Sequence, residues 1–221
     1  DTGYDDPLKP DTGKKEVYEA GPTGDLPAAP NTASATAITA EAFKALLQSG
    51  SVSGAYALSE TLVFDGTEKK LSIDLSGAVL TSSASPAVLI TAKNFTLTGL
   101  ALEASGAVAV EVADTDEVQL LSCYIGGAVS ITGSTDIRIA SSVLTGTLKT
   151  NAMTGLTVED SRIDGAVTLA AADSTLSHND FAGSMTLTGK ENVLIYANKI
   201  AETVTFQSVN NSVLLKNEFA G

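Results

Sequence analysis

The feature that most constrains this chain is an internal repeat. From Val88 onward a pair of apolar residues at spacing two recurs as Val88/Ile90, Val108/Val110, Val129/Ile131, Leu148/Thr150, Val167/Leu169, Met185/Leu187 and Val204/Phe206. Their first members are 20, 21, 19, 19, 18 and 19 residues apart. A second pair follows each one: Phe95/Leu97, Val118/Leu120, Ile137/Ile139, Leu156/Val158, Ser174/Leu176, Val193/Ile195 and Val213/Leu215. A single apolar residue then closes each unit, at Leu102, Ile125, Leu144, Ile163, Phe181, Ile200 and Phe219. A sparser unit with Leu71 and Ile73 precedes them. Such self-similarity marks an architecture in which each unit contacts only its neighbours.

Spacing two means strand, with alternate side chains turned to one face. Because the same three short strands recur in the same order and direction, they cannot pair as hairpins. Stacking successive units instead builds parallel sheets with interior ladders of like residues. The sequence therefore predicts an all-β fold, a single-stranded right-handed parallel β-helix of about seven to eight coils within residues 37–221, regular from about residue 67. A left-handed β-helix needs an apolar residue every six positions; here pairs alternate with turns of unequal length.

One coil buries too little to order itself, so the ends of the stack need covers. Residues 39–48, TAEAFKALLQ, supply one as a capping helix. Thr39 is placed to cap the free N–H groups, and Glu41 suits the first turn. Ala42, Phe43, Leu46 and Leu47 form an apolar face, and Gly50 stops the helix. Ahead of it, residues 1–36 hold five of the six prolines and Gly3, Gly13, Gly21 and Gly24. That composition reads as an extended arm or linker. Asp-Thr-Gly occurs twice there, at Asp1 and Asp11. An aspartic protease would need both on tight loops between apolar strands, so these read as flexible turns.

Hydrophobic residues make up 43% of the chain but aromatics only 5%, with no Trp, which suits narrow, close-packed strands. A net charge of −13 repels phosphate backbones and anionic bilayers, which argues against nucleic-acid binding. No run approaches the roughly 18 apolar residues of a spanning helix, which argues against membrane insertion. Cys123, the sole cysteine, cannot form an intrachain disulfide. Composition and arm together suit an extracellular or cell-surface protein, read as a mature chain whose targeting segment has been removed.

Two further columns follow from the register. Two residues before each closing residue sit Cys123, Ser142, Ser161, Asn179, Asn198 and Asn217. Small polar groups at a repeated corner can bond turn backbone and one another, and Asn tolerates the left-handed conformation. The next column carries Arg162, Asp180, Lys199 and Glu218, neighbours of alternating sign that read as a surface charge ladder rather than a catalytic Arg–Asp pair. An outward column of Ser130, Lys149, Thr168, Thr186 and Thr205 is interrupted by its lysine, which argues against an ice-binding face.

The phrases HNDFAG, YANKIAET and LKNEFAG resemble the Asn-x-Phe/Ile corners of right-handed β-helix repeats. The helix followed by Leu62-Val63-Phe64-Asp65-Gly66 is similar to the opening segment of pectate-lyase-like proteins. The resemblance covers about residues 38–221. It implies the fold but not an activity, since this superfold carries lyases, hydrolases, adhesins and inert scaffolds.

The chemistry that the resemblance implies for its enzymes is a calcium-binding carboxylate cluster with a basic Arg or Lys, or paired inward-leaning Asp residues with a Gly-His-Gly element. Here Arg138 and Arg162 fall in different columns, and the adjacent pair Asp5-Asp6 lies in the arm. His178, the sole histidine, reads as a solvated corner residue. Asp114, Asp116 and Glu117 form the densest acidic turn of the repeats and the one candidate binding site, for calcium if Asp136 and Asp173 approach on nearby coils. Cys123 reads as a small buried residue.

The expectation is a non-catalytic extracellular module for surface structure, adhesion or glycan contact, needing no cofactor. It could also assemble with another subunit, or with an arm, through its open C-terminal coil. The alternative is a degenerate or unusual polysaccharide lyase or hydrolase.

Overall fold

The computed structural model describes residues 19–50, 52–66, 70–189 and 191–220. Its strands stack as a parallel β-helix of about nine turns, with one short helix. Three parallel sheets form the walls. Sheet I has ten strands, from Thr36–Ile38 to Glu218–Phe219. Sheet II has eight, from Leu62–Phe64 to Val204–Gln207. Sheet III runs from Leu71–Asp74 to Val213–Leu215. The count exceeds seven to eight because strands Thr36–Ile38, Gly54–Leu58 and Leu62–Phe64 already belong to the sheets, ahead of residue 67.

The closing residues form one interior column, with Leu102, Ile125, Leu144, Ile163, Phe181, Ile200 and Phe219 in register. Two of the expected pairs are displaced. Val110, not Val108, stacks on Val88 and Val129, so the inward pair of that coil is Val110/Val112. Both are fully buried, while Val108 is half-buried in the turn before the strand. In the last coil Leu214 stacks under Ile195, which puts Val213 and Leu215 on the outer face below Leu194 and Tyr196.

Coil length is 18 or 19 residues over most of the stack and lengthens to between 22 and 26 over most of its first coils, as in Leu62 with Val88 and Leu71 with Phe95. The strands are joined through left-handed bends that recur in columns. One holds Ser122, Ser141, Asp160, His178, Ala197 and Lys216, with φ from 47° to 57°. Another holds Asn94, Glu117, Asp136, Asp173, Asn192 and Asn211, with φ from 50° to 60°. Asn and Asp adopt this conformation at little cost, whereas Glu117, Ala197 and Lys216 are held in it by the pairing on either side.

The helix, α1, spans Ala40–Gln48. Thr39 Oγ1 accepts from the Ala42 N–H at 3.1 Å, and Glu60 Oε1 accepts from the Ala40 N–H at 2.8 Å. Both interactions satisfy otherwise unpaired N-terminal donors. Gly50, at φ +119°, follows its end. The buried face is Ala40 and Phe43, with Phe43 edge-on to Tyr56 at 5.4 Å. Ala42 and Leu46, expected on that face, are exposed, because α1 meets the coil over a narrow stripe.

Candidate functional site

The polar corner column is a continuous hydrogen-bond ladder inside the wall. Each residue that follows a left-handed bend sends its N–H to the side chain one coil on. Cys123 N donates to Ser142 Oγ at 3.0 Å, Ser142 N to Ser161 Oγ at 3.1 Å, and Ser161 N to Asn179 Oδ1 at 3.0 Å. Asn179 N donates to Asn198 Oδ1 at 2.8 Å, and Asn198 N to Asn217 Oδ1 at 3.0 Å. The three asparagine amides also donate to the Val158, Leu176 and Ile195 carbonyls. Buried polar groups must be paired, and this column supplies the pairing. Burial pushes the Cys123 thiol up to about 11, so it is an inert member of the ladder.

The charge column is also in register: Arg162 faces Asp180, Asp180 faces Lys199, and Lys199 faces Glu218. Arg162 nevertheless makes its ion pair with Asp164, Nε to Oδ1 at 2.6 Å. Asp164 sits just past the same strand, within easier reach than the next coil. Arg138 pairs with Glu159 on the outer face of sheet III, so the two arginines serve different sheets.

Asp114, Asp116 and Glu117 are not brought together. Asp114 leans over Gly133, Asp116 meets the Lys93 ammonium at 3.4 Å, and Glu117 faces a hollow shared with Asp136 and Arg138. Asp173 accepts from Asn192 Nδ2 at 2.8 Å. Among the described residues no group of three or more His, Cys, Asp or Glu is placed to hold a metal ion. His178 occupies a corner, edge-on to Tyr196 at 5.4 Å.

The richest chemistry lies on the outer face of sheet I. Glu103 projects from one coil, and Gly126 is its register partner on the next. A side chain on Gly126 would collide with the Glu103 carboxylate, so glycine there lets the acid lie across the strand beside Tyr124. Below Tyr124 the column continues through Val143 to Arg162. Burial, then the charge of Glu103, pushes the Tyr124 hydroxyl up. The hydrogen bond from Arg162 to Asp164, then their attraction, holds the guanidinium more firmly protonated than usual.

Glu103 also borders a groove of about 710 Å³ whose mainly apolar lining, with Ile38, Leu58 and alanines, is interspersed with Thr39, Ser59, Ser83 and Ser105. At the other end of this face the arm docks. Gly21 N donates to the Ala197 carbonyl at 2.9 Å, and Thr23 N and Oγ1 donate to Asp160 Oδ1 at 3.1 and 2.6 Å. Gly21 is buried against the Lys199 side chain, and a hollow between arm and sheet is bordered by Lys199 and Glu218. The rest of the arm reading, residues 1–18 with both Asp-Thr-Gly triplets, lies outside the described residues.

Glu103, Tyr124 and Asp164 were not singled out from the sequence. They become neighbours through coils of unequal length, and the signal available was the lone tyrosine of an outward column. Comparison with protein families, curated proteins and solved structures finds no match.

Proposed function

We propose that this chain is a non-catalytic extracellular β-helix module that contacts glycans along the outer face of sheet I. The observation that carries the reading is the Glu103, Tyr124, Arg162 and Asp164 cluster beside a mainly apolar groove with scattered hydroxyls. Carboxylates accept from sugar hydroxyls, a guanidinium donates to them, and a tyrosine ring offers an apolar surface to a sugar face. A lyase base must give up its proton near working pH. Here the groups best placed to act as bases are both pushed the other way, Tyr124 by burial and Glu103, Arg162 by Asp164.

Four carboxylates on this face, Glu103, Asp164, Asp180 and Glu218, stand against two cations, Arg162 and Lys199, and the chain carries −13 overall. That balance favours neutral polysaccharides over uronate-rich ones. The acidic surface and proline-rich arm suit a tethered role at a cell surface, in adhesion or surface structure.

Affinity electrophoresis through gels containing neutral or uronate polysaccharides tests the reading. Retardation is expected in at least one neutral polysaccharide, weakened tenfold or more in Tyr124→Ala and in Glu103→Gln. Equal mobility in all gels, or retention unaffected by both substitutions, would overturn it. Depolymerisation of any of these polymers would favour the lyase or hydrolase reading instead.

A further inference from the structure

We propose that residues 20–36 act as an axial strap, which ties the opening of the lower coils to the release of a segment far away in the sequence. This role does not depend on the glycan reading. In a stack of repeats each coil contacts only its neighbours, so a run of coils can open without disturbing the rest. The strap departs from that rule. Thr23 meets Asp160 across 137 positions, through its N–H at 3.1 Å and its hydroxyl at 2.6 Å. Gly21 N donates to the Ala197 carbonyl at 2.9 Å.

Asp160, His178 and Ala197 are successive members of one bend column, so the short stretch from Gly21 to Thr23 clasps three coils. Pro22 lies between its two anchors at the level of His178, and its ring fixes the backbone there. Gly21 takes φ +94°, and a Cβ on it would sit 3.2 Å from Lys199 Cδ. Glycine therefore permits both the turn of the strap and its close seat on the Lys199 side chain.

The other end is anchored in the first coil. Thr36–Ile38 pairs with Gly54–Leu58 in sheet I, and α1 follows it with Phe43 fully buried. The strand Arg162–Ile163, just after Asp160, lies six strand spacings further down that sheet, about 29 Å. The thirteen residues from Thr23 to Thr36 span about 40 Å in polyproline geometry, which Pro27 and Pro30 favour. Little slack remains. Leu26, Pro27 and Pro30 are half-buried, so the strap lies against the stack rather than looping away. The coils of Asp160, His178 and Ala197 then leave the stack only when the clasp breaks.

Amide hydrogen exchange of the full chain tests this. The Gly21 and Thr23 amides should be protected in the wild type. Thr23→Val removes a hydroxyl bond to a carboxylate, so exchange at Gly21 should speed tenfold or more. The amides of Asp180 and Lys199, which donate to the Ser161 and Asn179 carbonyls, should speed by the same factor. Thr23→Ser keeps the hydroxyl and should hold all of these at wild-type rates. Gly21→Ala, strained at φ +94°, should speed Asp180 and Lys199 from the other clasp bond. Wild-type exchange at Gly21 as fast as in an unstructured peptide would overturn the proposal. So would unchanged rates at Asp180 and Lys199 in both the valine and the alanine variants, or serine speeding exchange as much as valine.

Discussion

Replacing Asn198 by alanine should detach the lower coils. Asn198 is fully buried, and its Oδ1 accepts from both the Asn179 N–H at 2.8 Å and the Asn179 side-chain amide at 3.0 Å. Its own amide donates to the Leu176 carbonyl and to Asn217 Oδ1, each at 2.9 Å. Alanine orphans at least the Asn179 N–H and the Leu176 carbonyl in a dry interior. At about 1–3 kcal/mol for each unpaired group, the loss is about 2–6 kcal/mol, a large share of a typical domain's stability. Serine should cost less, because Ser142 and Ser161 accept the same N–H bond at 3.0 and 3.1 Å. Asn198→Ser therefore loses mainly the Leu176 contact, about 1–3 kcal/mol. Urea unfolding followed by circular dichroism gives both values, and hydrogen exchange at the Asn179 amide localises the damage. Equal stability of the two variants within about 1 kcal/mol, or an unchanged Asn179 amide, would refute the ladder's energetic role.

Two other substitutions probe register and burial. Val110→Ala should cost about 2 kcal/mol and Val108→Ala well under 1, as measured by denaturant midpoint; the reverse order would restore the register expected from the sequence. Cys123 has a folded pKa of about 11 against an ordinary 9.0, so the native state holds its proton more tightly than the unfolded chain. Stability should be fully present below pH 9.0 and fall as pH rises through about 11, a loss that Cys123→Ser should not share. Melting temperatures of the two proteins across that window check it.

The coil stack was legible because its inward pairs alternate cleanly with polar residues, as at Ile137/Ile139 and Val193/Ile195. It misled where alternation was ambiguous. Val108, Val110 and Val112 offer two overlapping pairs, and only the strand pairing of Val110 with Val88 and Val129 chooses between them. Val213, Leu214 and Leu215 are apolar in succession, so the face turned inward is fixed by the coil above.

The Ser/Asn ladder was visible because one small polar residue recurs at one offset. The left-handed bends beside it were not, since Ser, Asp, His, Ala and Lys share that column and are held there by pairing rather than by preference. The Glu103 and Tyr124 pairing was hidden for a different reason. It rests on a glycine across the strand, Gly126, whose role appears only when two coils are superposed.

The most direct test of the glycan-contact reading is an amide chemical-shift titration with a neutral oligosaccharide from a polymer that retards the protein, with sugar length read by mass spectrometry in the same tube. Shifts concentrated at Ala101–Gly126 and Arg162–Asp164, with the oligosaccharide intact, are the expected result. Shifts confined to the outer faces of sheets II or III, or a shortened oligosaccharide, would contradict it.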